Sequence, residues 1–568
     1  MINKNISKIS ISAARSIKEA LSLMALNKSK DIGLPAGIVL VTGELEKLLG
    51  IATDGDIRRS LAAGVALDTP IEKMMNRRPF LIEAPKSNNE IINLVTEKIK
   101  KENWHKDRLS KIIIVDKKKR VLDLVSFHDL LQKGDIRSRQ IGVVGLGYVG
   151  LTLALTSAEL GFKVKGFDIN PGVTKSLKLG RPHFFESGLA DILKNNIGNN
   201  FNVTGDFKGK DNCDVYFVAV GTPLSPNKKP DLKQLESASQ IVGSVLKMGD
   251  IVILRSTVPV GTTRQVVIPI LEKESKLKSD EDFFVAFAPE RTVEGKALEE
   301  LKTLPQVIGG LNWASADLAA SIFNHLTHSM VLVDSLEEAE MVKLVNNTYR
   351  DVVFSFANEL SLVCNRLGIN TRRVIEAANR GYDRSQVPMP SPGVGGVCLE
   401  KDPYLFIESA KSKNYRPLLA RDSREISIRM VDFVAEEIVN FTKGKNKPKV
   451  FIMGLAFKGR PVTSDTRGST ALSLINKLKG RVGSIYGYDP AVKLGDVKNN
   501  GVRLVSNPAD GFRKADAVVV MNNNSDFEKM NIKGLLKLAR KPVFFFDTWA
   551  IFEQNDLGKL EGVVYKHL

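Results

Sequence analysis

The chain has 568 residues, 43% hydrophobic and 26% charged, a globular composition with length for about three or four domains. Three cysteines, Cys213, Cys364 and Cys398, exclude a disulfide framework and a four-ligand zinc site; with no leader pattern ahead of them they predict a cytoplasmic protein without a metal. The net charge of +18 is spread along the chain without an aromatic-rich basic stripe, which argues against nucleic acid and for small anionic ligands.

Residues 1 to 135 contain a faint repeat. In "LLGIATDGDIRRSL" (48–61) and "VLDLVSFHDLLQ" (121–132), an apolar strand runs into a hydroxyl residue, and an aspartate three positions on opens a helix. The pairs are Thr53/Asp56 and Ser126/Asp129. Such a junction can hold a ribose and place a phosphate at the helix N-terminus, or it can simply cap the helix. The run "DKKKR" (116–120) between two apolar strands reads as a solvated hairpin turn. The first copy resembles a cystathionine-β-synthase-type (CBS) module. The resemblance implies an α+β regulatory pair over 1–135 that binds an adenine nucleotide or mediates assembly.

After a polar linker, "IGVVGLGYVGLTLALTSAELGF" (141–162) has the length of a membrane span and one charge, Glu159. Its glycines cluster where a strand gives way to a helix, so no membrane span is expected. Gly145, Gly147 and Gly150, with Tyr148 and Val149 between them, form a glycine turn after one strand, and Asp168 ends the next. That spacing predicts a dinucleotide site: pyrophosphate on the helix N-terminus, and the carboxylate on a ribose 2′-hydroxyl, which selects NAD over NADP. Apolar strands at 214–220, 251–257 and 283–290 alternate with helical patterns and predict a parallel sheet. The pattern is helical from Leu336 to Gly381, and a second α/β set starts at Lys449. The predicted fold is α/β: two Rossmann-like doubly wound parallel-sheet domains (140–335 and 441–568) bridged by a helical domain (336–440), after the CBS-type pair.

The stretch "PSPGVGGVCLEKD" (390–402) places Cys398 after Gly393, Gly395 and Gly396 and within one turn of Lys401 and Asp402. The glycines let a substrate approach the backbone, and a nearby cation is expected to lower the thiol pKa. A thiolate beside NAD predicts attack on an aldehyde, hydride loss from the adduct and hydrolysis of the thioester. Cys213 and Cys364 read as buried fillers.

From residue 140 onward the ordered motifs "GLGYVGL", "VGTP" (220–223), "STVPVGTT" (256–263), "APERTVEG" (288–295), "EMVKLVNN" (340–347), "GVGGVCLEKD" and "GLAFKG…SDTRGS" (454–469) resemble the UDP-glucose/GDP-mannose dehydrogenase family. The resemblance implies oxidation of a nucleotide-sugar C6 alcohol to a uronic acid for surface-polysaccharide synthesis, with Cys398 as nucleophile. It implies that Lys343 and Asn347, four apart on one helix face, stabilise developing oxyanion charge. Asp402 and Glu290 are implied to activate and relay the hydrolytic water, with Thr257 ordering it. Thr222 and Arg467 are implied cofactor contacts. Glu294, Arg291, Gly395, Phe457 and Lys458 are implied substrate contacts, and Arg384 is implied to be lent across the interface of a homodimer or larger homo-oligomer.

The chain departs from the pattern at Val173, where the family often has arginine, which moves a phosphate contact to Lys175 or removes it. Arg291 matches enzymes for UDP-N-acetylhexosamines, whereas Lys401 matches UDP-glucose enzymes. A UDP-N-acetylhexosamine (ManNAc or GlcNAc) is the expected substrate; the alternatives are UDP-glucose and a catalytically silent nucleotide sensor.

Overall fold

The faint repeat at the start of the chain folds into two three-stranded sheets of one design. Strands β1 (Ser10–Ser12), β2 (Ile38–Thr42) and β3 (Leu48–Thr53) form the first, and β4 (Leu81–Glu83), β5 (Ile112–Val115) and β6 (Val121–Val125) the second. In each, the central strand pairs parallel with the first and antiparallel with the third. Even the register irregularity recurs, at Val41/Thr42 and at Ile114/Val115. Aligning the two irregularities puts Thr53 opposite position 126. Side chains alternate across β2: Ile38 and Leu40 join Ile113 and Val115 in one core, while Val39 and Val41 join Ile17, Ala20 and Met24 in another.

This computed structural model describes the chain except residues 1–2, 4, 30–33, 35–36, 85–90, 92–93, 95–111, 126–137, 206–212, 280, 328, 412, 494–496, 498–500 and 553–556, and the side chains of 26–29 and 45. Ser126 and Asp129 therefore lie outside the described residues. The chain divides into two compact units, Met1–Arg139 and Gln140–Leu568. Among the described residues no helix is long and apolar enough to cross a membrane. The apolar stretch after residue 140 is a strand, a turn and a helix of only 12 residues, Tyr148–Glu159.

The second unit begins with β7 (Gln140–Val144), β8 (Lys163–Phe167), β9 (Phe201–Thr204), β10 (Val215–Val218), β11 (Ile251–Leu254), β12 (Phe284–Phe287), β13 (Gln306–Gly310) and β14 (Met330–Val333). They form one sheet in the order β14-β13-β12-β11-β10-β7-β8-β9. The chain winds outward from β7 in both directions, leaving a switch point between β7 and β10, where ligands bind in such sheets.

The sequence had predicted a parallel sheet, but this one is not wholly so: β13 runs antiparallel to β12. The connection 288–305 thus enters and leaves at the same end of the sheet, so its polar residues stay at the carboxyl ends of the parallel strands.

A second, fully parallel sheet has the same winding: β15 (Lys449–Met453), β16 (Ser484–Tyr488), β17 (Arg503–Leu504), β18 (Ala517–Val520), β19 (Val543–Asp547) and β20 (Val563–His567), in the order β17-β16-β15-β18-β19-β20. Between the sheets lie the 32-residue helix Leu336–Leu367, the cysteine helix Val397–Lys411 and the helix Leu418–Thr442. Ser335 caps the long helix and Gly368, at φ 69°, ends it. Inside the bundle the Arg424 guanidinium grips the Asp351 carboxylate, both buried.

Candidate active site

Both lobes build the same turn after their first strand. The Gly145 N–H donates to the Phe167 carbonyl at 2.8 Å and the Leu146 N–H to Asp168 Oδ2 at 2.9 Å. In the second lobe Gly454 donates to Tyr488 at 2.8 Å and Leu455 to Asp489 Oδ2 at 2.8 Å. Gly145 and Gly454 both have φ of 90°, and a Cβ on either would lie under 3.0 Å from backbone of the facing strand end.

The two turns differ in what remains open. Asp489 is buried and its carboxylate also takes the Ala456 N–H at 3.0 Å and the Asn522 amide at 3.0 Å. Asp168 is half-buried and, among the described residues, its carboxylate takes the Leu146 and Asn170 N–H groups, which leaves room for a ribose hydroxyl. Around Gly147 nothing lies within 4 Å of a Cβ position, and the helix that starts at Tyr148 and Val149 has no side-chain cap. Its free N–H groups suit a pyrophosphate. Gly150, by contrast, is packed: a Cβ there would be 1.8 Å from the Gly145 carbonyl oxygen. The first lobe fits a dinucleotide and the second does not. Asp168→Ala is therefore expected to weaken NAD by about 10-fold, one charge-assisted hydrogen bond, and to narrow its preference over NADP; titration of both cofactors checks this.

The cysteine helix and the long helix bring several of the predicted residues together. Lys343 and Asn347 are both buried on the long helix. The Asn347 amide donates to Asp402 Oδ2 at 2.5 Å, and the Lys401 ammonium lies 2.9 Å from Asp402 Oδ1. Lys401 also donates to Thr222 Oγ1 at 3.2 Å, and Thr222 donates to the Thr257 carbonyl at 2.5 Å. A continuous polar chain thus links Asn347 and Asp402 to the ends of β10 and β11.

Cys398 is exposed at the start of its helix, while Cys213 and Cys364 are buried. The expected fall in its pKa is not found. The thiol opens to solvent on one side, but protein encloses the others. This loss of hydration, with the Asp402 carboxylate, pushes the thiol up against the opposing pull of Lys343 and Lys401. Lys401 cannot prevail because its charge is already matched by Asp402.

Glu290, just past β12, is buried and paired with the Arg255 guanidinium. Burial pushes its carboxyl up, yet Arg255, the Thr292 N–H and Lys343 outweigh this and hold it below the usual carboxylate range. Glu294 behaves oppositely: burial and Asp465 push it up to about 7, against Lys458, Arg467 and a hydrogen bond from Thr463. The Lys458 ammonium donates to the Glu294 carbonyl at 2.7 Å. The glycine loop meets the second lobe backbone to backbone: a Cβ on Gly395 would be 2.6 Å from the Gly468 carbonyl, and one on Gly396 2.6 Å from the Phe457 ring. Arg467 is held by Asp465, and its charge is felt at Cys398 and Glu294.

Two predicted contacts stand apart. The Arg291 guanidinium is engaged with the Pro305 carbonyl, in a recess shared with Glu290 and Gln306. Arg384 is exposed, and Val173 is half-buried beside an exposed Lys175. Thr53 and Asp56, in the N-terminal unit, form a reciprocal helix cap: the Thr53 hydroxyl donates to Asp56 at 2.7 Å, and Arg59 pairs with the same carboxylate.

Sequence reading missed two buried acids. Glu186 accepts from the Gly295 and Ala297 N–H groups at 2.8 Å and from the Tyr148 hydroxyl. Glu340 binds the loop after β11. The local signal for each was an acid standing among apolar or aromatic neighbours, "HFFESGL" and "AEMVKLV", and Glu340 also opens the motif "EMVKLVNN".

Profiles of the UDP-glucose/GDP-mannose dehydrogenase family match its NAD binding domain at 139–327, its central domain at 337–427 and its UDP binding domain at 451–554. The chain is 34% identical over 409 residues to UDP-N-acetyl-D-mannosamine dehydrogenase of Pyrococcus horikoshii, which spans 71% of this chain and 94% of that protein. It is 31% identical over 428 residues to UDP-N-acetyl-D-glucosamine 6-dehydrogenase of Pseudomonas aeruginosa, spanning 74% and 99% respectively. The solved structure of UDP-D-ManNAc dehydrogenase from Pyrococcus horikoshii matches with a TM-score of 0.68 at 33% identity, covering 75% of this chain and 98% of that one. With its open dinucleotide turn, helical bridge and second lobe accounted for in order, the chain belongs to the UDP-glucose/GDP-mannose dehydrogenase family and is an NAD-dependent nucleotide-sugar dehydrogenase.

Proposed function

We propose that the protein oxidises the C6 alcohol of a UDP-N-acetylhexosamine, UDP-ManNAc or UDP-GlcNAc, to the carboxylate for surface-polysaccharide synthesis. The observation that carries this reading is the grouping of Cys398, Lys343, Asn347 and Asp402 on two packed helices, tied through Lys401 to Thr222. NAD, held by the Gly145–Gly150 turn and Asp168, supplies the hydride acceptor for each of two oxidations.

The alcohol first loses a hydride and its O6 proton, giving an aldehyde. Cys398 sulfur then bonds to C6, its proton leaving for the Asp402 carboxylate, while Lys343 and Asn347 hold the charge on O6. Loss of a second hydride leaves a thioester on Cys398. Water, ordered by Thr257 and deprotonated with help from Asp402 and Glu290, cleaves the C–S bond and frees the thiol and the sugar carboxylate. Phe457, Lys458, Glu294 and Gly395 are the proposed holders of the UDP-sugar, and Arg467 reaches the cofactor; Arg291, engaged with the Pro305 carbonyl, is not among them.

The amino-sugar choice is supported by the names of the relatives above. The test is NADH yield on a substrate panel. Two NADH per UDP-N-acetylhexosamine are expected; a preference for UDP-glucose would overturn the substrate, one NADH per sugar would overturn the thioester route, and no NADH with any would favour the sensor.

The long helix exposes Val345, Tyr349, Phe356, Val363 and Leu367, and Leu418, Leu419 and Ile428 are exposed on the following helix. Such a stripe suits a second copy of the chain, with Arg384 lent to the partner. For the N-terminal unit we propose a CBS-type pair whose Thr53 and Asp56, with Ser126 and Asp129 as the second copy, bind an adenine nucleotide. A chain beginning at residue 140 is expected to keep turnover within about threefold while losing any response to AMP or ATP. NADH assays with and without nucleotide check this; an unchanged response would remove the module from the account.

A further inference from the structure

Loop 256–264 touches both helices that carry proposed catalytic groups. At its start the Ser256 hydroxyl donates to the Val220 carbonyl at 2.7 Å, and the Thr257 carbonyl takes the Thr222 hydroxyl. At its middle the Val260 N–H donates to Ser409 Oγ at 2.9 Å, on the cysteine helix. At its end three donors converge on one carboxylate of the long helix: Gly261 N–H to Glu340 Oε2 at 2.5 Å, and Thr263 N–H and hydroxyl to Oε1 at 2.9 and 2.6 Å. Arg264 pairs with Glu337 one turn earlier, at the surface.

Glu340 is 1% exposed, and the proposed chemistry does not use it. It precedes Lys343 by three residues and Asn347 by seven, so all three share one face of the helix. A buried carboxyl group taking three hydrogen bonds fixes both the depth and the rotation of that face, because any slide or turn leaves its oxygens and their buried donors unpaired.

We infer that Glu340 is a positioning residue that sets Lys343 and Asn347 in register with the Thr257 loop and, through Ser409, with the cysteine helix. This rests on the roles proposed above for Lys343, Asn347 and Thr257. A misplacement of one ångström at a reacting oxygen costs rate rather than affinity.

The test uses the full chain, NAD and the UDP-N-acetylhexosamine. Glu340→Gln keeps shape but turns an amide towards the Gly261 N–H; kcat is expected to fall about 10- to 100-fold with both KM values within about threefold. Thr263→Val, which removes one donor without changing shape, is expected to lower kcat about 3- to 10-fold, and Thr263→Ser to restore it to within about twofold. The double variant, Glu340→Gln with Thr263→Val, is expected to lose no more than Glu340→Gln alone.

Equal activity of the Thr263→Val and Thr263→Ser enzymes, multiplicative losses in the double variant, or a Glu340→Gln effect confined to KM or to the folded fraction would overturn the inference. If Glu340→Gln does not fold, the Thr263 pair decides. NADH stoichiometry in the wild type separates failure of the thioester reading, which changes that yield, from failure here, which does not.

Discussion

Cys398→Ser is expected to lose about 10³-fold or more of steady-state NADH production while binding UDP-sugar with a Kd within about threefold of wild type. The hydroxyl is a far poorer nucleophile at neutral pH and a poorer leaving group from the acyl intermediate. A step that precedes bond formation to sulfur is spared, so a burst limited to one NADH per site is compatible with this variant, and a second is not. The raised thiol pKa adds a direction: with lost hydration and Asp402 disfavouring the thiolate, the single-turnover rate of the wild type rises with pH above neutrality. Stopped-flow absorbance at several pH values, with isothermal titration of UDP-sugar, checks both statements. An enzyme indifferent to the substitution belongs to ordinary two-electron chemistry.

Lys343→Met is the second large effect. Lys343 is buried beside Asn347 on the long helix, and its charge acts on both Cys398 and Glu290. Methionine keeps the length of the side chain and removes the cation. Loss of a buried charge at developing alkoxide costs about 10²- to 10³-fold in kcat, with KM for NAD little changed. The pKa balance gives an independent readout: without the ammonium that pulls the thiol down, Cys398 titrates higher still, so its alkylation by iodoacetamide at neutral pH slows. A variant with normal kcat and normal alkylation would place Lys343 outside the chemistry.

Much of this architecture is written locally in the chain. The Gly145 turn and Asp168 are legible because close backbone approach admits only glycine, and because the acid falls at the end of the next strand. The duplicated N-terminal sheet is legible in the spacing of Thr53/Asp56 and Ser126/Asp129, though the second pair lies outside the described residues. The motif-bearing residues Lys343, Asn347, Lys401 and Asp402 were marked by resemblance, and the two helices draw Asn347, Lys401 and Asp402 into one polar group, with Lys343 buried one turn from Asn347.

What the sequence concealed depends on long-range pairing. The strand predicted over 283–290 stops at Phe287, and the antiparallel β13 beside it has no signature in an apolar run. Arg291 is diverted by a carbonyl 14 residues away. Lys401 reads as a thiol activator only until Asp402 is seen to hold it. Glu186 and Glu340 take donors 111 and 77 residues distant, and no local pattern announces such partners.

The covalent route through sulfur is tested most directly by acid-quenching wild type during turnover, with NAD and the UDP-N-acetylhexosamine, and weighing the peptide that contains Cys398. The account predicts a fraction of that peptide carrying the mass of the sugar acyl group, released by hydroxylamine and missing from Cys398→Ser. A peptide of unaltered mass at every quench time, while sugar carboxylate continues to form, would contradict it.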